Sequence, residues 1–114
     1  MHEMALTENV VEIVLTHAKM ANAEKVIQVK LKIGELRDVV DSLIEKCFRY
    51  MARGTVAAEA ILEITKVPFV VKCGDCGSEY PESIGDCTQC RSCGSRNLKL
   101  VSGKEFLVEE IKIV

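Results

Sequence analysis

Tryptophan is absent, and aromatic side chains make up only 4% of the 114 residues. Flat surfaces on which single-stranded nucleic acid can stack are therefore scarce. Neither sign of charge dominates: 15 Lys and Arg stand against 17 Asp and Glu, for a formal net charge of −2. That balance gives no general attraction to phosphate backbones or anionic membranes. No run of about eighteen apolar residues, no signal peptide and no lipidation motif is found. The expectation is a cytoplasmic chain without a membrane or nucleic-acid partner. Internal repeats and low-complexity linkers are missing as well.

What is present is an ordinary globular composition, 48% apolar and 28% charged, at the length of one small domain or a domain with a mini-domain attached. A chain this short buries a limited fraction of its surface and often needs a staple. Cysteine offers one, because five of the six cysteines fall between Cys73 and Cys93. In a reducing compartment, thiols grouped this way are better read as metal ligands than as disulfides.

Periodicity places the elements. From Glu3 to about Ala23 the chain favours helix. Met4, Val11, Val14, Leu15 and Ala18 form one apolar stripe, and Leu6, Val10 and Ile13 form a second beside it. So wide a surface predicts burial on more than one side. "KVIQVKLKIG" alternates, with Ile27, Val29, Leu31 and Ile33 on one face and Gln28, Lys30 and Lys32 on the other. This is a half-buried strand ending at Gly34. A second helix carries Val40, Leu43, Ile44, Cys47, Phe48 and Met51 at helical spacing, with Ser42 and Glu45 as a capping box and Gly54 as the stop. "EAILEITKV" and "PFVVK" read as strands broken at Pro68, and "NLKLV" and "EFLVEEIKIV" as strands joined by a turn at Ser102-Gly103-Lys104. The metal segment thus interrupts an α+β domain, and the last strand is expected to return to the first sheet.

Cys73 and Cys76 form one C-x2-C pair, and Cys87, Cys90 and Cys93 follow at intervals of three. Two such pairs can close a tetrahedral four-thiolate shell around zinc. Gly77 directly follows Cys76 and Gly94 directly follows Cys93, where a positive φ angle is often required. That symmetry selects Cys90 and Cys93 as the second pair and leaves Cys87 as a spare or alternative ligand. Four sulfurs leave no open position for substrate, so the zinc is structural and this site does not make an enzyme. Cys47, on the apolar face of the second helix, reads as a core thiol, and His17 as a surface or packed residue.

The first residues are "MHE". The Met1 amine, the His2 backbone nitrogen and the His2 imidazole can enclose one ion, through a five-membered and a six-membered chelate ring. The amide proton must leave, which Ni(II) and Cu(II) promote far more readily than Zn(II). A nitrogen-rich, square-planar preference marks those two metals. Bulky His2 is expected to prevent removal of Met1. Glu3 can complete the shell with a carboxylate oxygen or a backbone donor, or contact a partner.

Taken in order, "MHE", "GELRDVV", "GTVAAEAILEI", "CGDCG", "CRSCGS" and "GKEFLVEEIKIV" resemble the hydrogenase maturation nickel metallochaperone family HypA/HybF over essentially the whole chain. The resemblance implies two helices against a small three-stranded sheet, with a four-cysteine zinc ribbon inserted before the last strand. The corresponding domains are residues 1–69 plus 104–114 for nickel and 70–103 for zinc. It implies transferable Ni(II) at Met1, His2 and Glu3, and structural Zn(II) at Cys73, Cys76, Cys90 and Cys93. It also implies two partners, the nickel-inserting GTPase HypB and the large subunit of [NiFe]-hydrogenase; in some bacteria the family also serves urease. The second knuckle of the family usually reads Cys-Pro-x-Cys, whereas Arg91 follows Cys90 here. The longer, histidine-bearing insertion of some archaeal relatives is missing.

Two other readings compete. A zinc-ribbon nucleic-acid module would need a basic stripe, but from Cys73 to Lys104 the acids Asp75, Glu79, Glu82 and Asp86 balance Arg91, Arg96, Lys99 and Lys104. An iron carrier of the rubredoxin kind would pack several aromatics around its iron, and Tyr80 is alone in this segment.

Overall fold

A computed structural model describes residues 3–82 and 88–114. The elements run α1 (Glu3–Met20), β1 (Val26–Gly34), α2 (Asp41–Ala52), β2 (Ile61–Val67), β3 (Val70–Cys73), β4 (Glu79–Pro81), β5 (Leu98–Ser102) and β6 (Phe106–Ile113). One three-stranded sheet has the order β2-β1-β6 and the other β4-β3-β5. The last strand does return to the first sheet, and the class is α+β as expected. The chain divides into two compact units: one of residues 1–32, 38–65 and 107–114, the other of residues 33–37 and 66–106.

In the first unit, α1 buries one stripe rather than two sides. Thr7, Val10, Val11, Val14 and Ala18 are buried, while Met4 (53% exposed) and Ile13 (42%) stay at the surface. The stripe accepts a polar member because the Thr7 hydroxyl donates to the Glu3 carbonyl at 2.6 Å, so its buried hydroxyl is satisfied locally. His17 is exposed. Helix α2 contributes Ile44, Phe48 and Ala52 to the core, and the Cys47 thiol, half-buried, donates to the Met4 sulfur at 3.2 Å. The expected capping box of Ser42 and Glu45 does not form. The helix begins two residues earlier, with Val40 in place of Ser42 as N-cap, Asp41 as its first residue and no side-chain cap bond from Val40.

Strand β1 alternates as expected from Val29 through Leu31 to Ile33, all fully buried, but at its start Val26 is buried and Ile27 is 42% exposed. The cause lies next to the strand: the Val26 N–H donates to the Val56 carbonyl at 2.9 Å. The strand therefore enters beside the 52–60 connection, whose Ala57 and Ala60 are fully buried. On the opposite face Gln28 donates to Glu63 at 2.7 Å, and Lys30 pairs with Glu110 at 3.2 Å. These exposed pairs contribute little to stability; the apolar core carries it. Phe48→Ala, removing a ring only 1% exposed, is expected to cost about 3–5 kcal/mol in urea unfolding, and a loss under about 1 kcal/mol would remove Phe48 from the core.

The second unit holds a strand that periodicity did not reveal. Strand β4 is three residues long and pairs with β3 in the register Val71↔Tyr80 and Lys72↔Glu79. On the other edge of β3, β5 pairs Cys73↔Leu98 and Val71↔Leu100. Ile33, Phe69, Val71, Cys73 and Cys90 are its buried apolar side chains among the described residues. That is a small core for a unit of this size.

Candidate metal centre

Cys73 closes β3, and the chain turns at once into the first knuckle. The Gly77 N–H donates to the Cys73 carbonyl at 3.0 Å, and the Cys73 N–H to the Ser78 carbonyl at 2.9 Å. The second knuckle repeats both bonds: Gly94 to the Cys90 carbonyl at 2.9 Å, and Cys90 to the Ser95 carbonyl at 2.7 Å. Gly77 and Gly94 have φ values of 78° and 75°, a left-handed conformation that side chains penalise. Both knuckles thus depend on the glycine that follows their second cysteine.

The two turns bring the Sγ atoms of Cys73, Cys76, Cys90 and Cys93 within 4.8 Å of one another. Cys73 and Cys93 lie 3.6 Å apart, and so do Cys76 and Cys90. Sulfur ligands at about 2.3 Å around a tetrahedral ion have edges of about 3.8 Å, so the cluster fits such an ion. Backbone amides already aim at the sulfurs. Asp75 N–H and Cys76 N–H donate to Cys73 Sγ at 3.4 and 3.5 Å, and Ser92 N–H to Cys90 Sγ at 3.4 Å.

These donors act on the acidity of the thiols. The Cys76 and Asp75 amides hold the Cys73 thiol below its usual range. The Cys93 amide, with that of Ser92, lowers Cys90 to about 6 against the opposing effect of burial. At Cys93 the Ser95 amide favours the thiolate, but the Cys73 sulfur and burial outweigh it and push the group up to about 12. Thiolates this close cannot all carry charge without a cation among them. A cation at the centre would let all four ionise together.

Around the cluster, the Gly74 N–H donates to the Asn97 carbonyl at 2.7 Å, and a Cβ at position 74 would lie 2.4 Å from Asn97 Nδ2. Ser95 Oγ donates to the Asp75 carboxylate, which ties the two knuckles together. Arg91 stands where the family pattern has proline. Its guanidinium donates to Glu82 Oε1 at 2.6 Å and lies 5.2 Å from the Tyr80 ring centroid, while its N–H donates to the Tyr80 hydroxyl at 3.3 Å. Glu82 is a side chain only 1% exposed, so this bond satisfies a carboxylate that burial would otherwise penalise.

A family model described as "Hydrogenase/urease nickel incorporation, metallochaperone, hypA" matches residues 1–113. The chain belongs to the HypA family. The Hydrogenase maturation factor HypA of Geobacter metallireducens is 40% identical over 113 residues, covering 99% of this chain and 99% of that protein. That of Geobacter sulfurreducens is 39% identical over 114 residues, with the same coverage. Among solved structures, the Ni metallochaperone HypA from Helicobacter pylori aligns with a TM-score of 0.70 at 26% identity, over all of this chain and 98% of that one. A second HypA solution structure aligns with a TM-score of 0.77, also at 26% identity, over all of this chain and 97% of that one.

Of the residues singled out in the sequence, Cys73, Cys76, Cys90 and Cys93 converge. Met1, His2 and Cys87 lie outside the described residues. Glu3 is described: its side chain is buried, and its Oε2 accepts the Val40 N–H at 3.1 Å. Sequence reasoning missed Asn97, Ser95 and Glu82. Their partners are set by the fold, and no local pattern in the sequence marks them. No helix among the described residues is long and apolar enough to cross a membrane.

Proposed function

We propose that this protein is a cytoplasmic nickel carrier for maturation of [NiFe]-hydrogenase, not an enzyme. Ni(II) is held at the Met1-His2-Glu3 end and delivered with a partner GTPase, HypB, to the hydrogenase large subunit. The observation that carries the reading is the family match from residue 1 to residue 113, which takes in both the amino-terminal chelate and the four-cysteine cluster. The Met1 amine, the His2 amide nitrogen and the His2 imidazole supply three nitrogens, and the His2 amide releases its proton to solvent as the metal binds. A shell with a replaceable fourth position suits an ion that must be passed on.

Cys73, Cys76, Cys90 and Cys93 hold structural Zn(II) in the domain of residues 70–103, with Cys87 as a spare or alternative ligand. Residues 1–69 and 104–114 form the nickel-binding domain. The spacing of the four sulfurs supports zinc, as does the lack of any open coordination position.

The test is complementation. In a cell lacking its own family member, the wild-type chain is expected to restore hydrogenase activity, and the His2→Ala chain to restore less than about a tenth of it at equal protein level, since a lost ligand costs more than the 10–100-fold of a lost outer-shell partner. Equal restoration by both chains would refute delivery from this site.

A further inference from the structure

The structure gives Glu3 a task that the ligand pattern does not. Helix α2 starts without a cap of its own: Val40, with φ −97° and ψ 115°, is the N-cap residue and offers no side-chain acceptor. Its carbonyl already receives the Leu43 and Ile44 amides at 3.0 and 3.1 Å. Its own N–H donates to Glu3 Oε2 at 3.1 Å, from a residue 37 positions away. In a capping box that bond comes from a glutamate in the first turn of the same helix. Here the expected box is missing, and Glu3 from α1 takes its place.

The placement suits a carboxylate. Glu3 opens α1 and reaches the start of α2, so it lies at the positive ends of two helix dipoles. It is only 5% exposed, and a buried carboxylate released from such a bond loses both its hydrogen bond and its favourable field. Moving this group onto a metal would strip a cap from α2. His2 is bonded directly to Glu3, so whatever fixes Glu3 limits where a metal on His2 can lie.

We propose that Glu3 is a positioning residue and that its carboxylate is not a nickel ligand: the Glu3–Val40 bond fastens the amino-terminal nickel site to the first turn of α2. This rests on the nickel reading above and narrows it, since any donor that Glu3 gives the metal is then a backbone one. With the side chain committed, the fourth position around nickel falls to that backbone donor or to an exchangeable group.

Three variants of the zinc-loaded chain separate the possibilities: Glu3→Ala, Glu3→Gln, and Glu3→Ala combined with Val40→Ser, which gives α2 a cap of its own at an exposed position. Each is measured by urea unfolding, by nickel calorimetry and by the nickel absorption spectrum. Glu3→Ala is expected to raise the unfolding equilibrium constant about fivefold and to weaken nickel binding several-fold, with the nickel bands unmoved. Glu3→Gln, whose amide oxygen can still accept the bond, is expected to stay near wild type in both. Val40→Ser is expected to restore stability to the Glu3→Ala chain but leave nickel weakened, because it caps the helix without holding the chain end.

A band shift in Glu3→Gln would make the carboxylate a ligand, and unchanged unfolding in Glu3→Ala would remove the cap. Nickel affinity fully restored by Val40→Ser would reduce Glu3 to a stabilising role. A wild-type chain that takes up no nickel defeats the nickel reading, and the positioning role with it; that outcome is recognised separately, because it leaves the unfolding series unaltered.

Discussion

Cys73→Ala is expected to unfold the second unit while leaving α1 and α2 in place. Structural four-cysteine zinc sites contribute on the order of 10–16 kcal/mol of apparent binding energy. The apolar side chains buried in this unit among the described residues are few, and two of them, Cys73 and Cys90, are themselves members of the cluster. Loss of one sulfur therefore removes most of what holds β3, β4 and β5 together. Both helices belong to the first unit, so far-UV circular dichroism at the helix minimum should change little. Amide exchange at Val71, Lys72 and Leu98–Leu100 should rise to near unprotected rates. Cys87→Ala serves as the control and is expected to retain zinc at wild-type stoichiometry. Protected β3 amides in Cys73→Ala would show that the unit folds without its four-thiolate shell.

His2→Ala is expected to weaken nickel binding by more than about a hundredfold, or more than ~3 kcal/mol, and to leave the zinc cluster intact. In the proposed set the imidazole is one of three nitrogens, and its loss would also open the six-membered chelate ring. Acetylation of the Met1 amine should do the same, because it removes the nitrogen that closes the five-membered ring. Wild-type affinity should also fall steeply as pH drops below about 7, since the amine and imidazole bind only in their neutral forms and the amide must lose its proton. Calorimetry of the three chains across pH checks all of this, and a variant affinity equal to wild type would clear His2 of the role.

Much of this was legible in the sequence because it depended on local pattern. The alternation of Val29, Leu31 and Ile33, the helical spacing of Ile44 and Phe48, and the glycines after Cys76 and Cys93 each report a constraint met within a few residues. What escaped was set by distant partners. Strand β4 is only three residues long and exists through its pairing with β3; nothing in Glu79-Tyr80-Pro81 alone specifies it. The start of α2 was misplaced because its cap comes from Glu3, in another helix, and Ser42 followed by Glu45 imitates a local one. The two apolar stripes of α1 overstated its burial, since composition shows which side chains are apolar but not which neighbours cover them.

Arg91 shows how a departure from a family pattern can carry its own logic. Proline at that position would fix the backbone and remove the N–H that here reaches the Tyr80 hydroxyl. Arginine keeps the donor and adds a guanidinium that satisfies buried Glu82. The knuckle is tied to the segment after β4 by side chains instead of being stiffened by a ring.

The most direct measurement is titration of Ni(II) into the zinc-loaded protein, carrying its unmodified Met1 amine, while visible absorption is recorded. One equivalent of nickel should develop the bands of a nitrogen-ligated, near-square-planar ion, with zinc retained and no such bands from the chain whose Met1 amine is acetylated. Identical nickel spectra from the native and acetylated chains, or nickel that displaces zinc from the cysteines, would contradict a transferable ion held at the amino terminus.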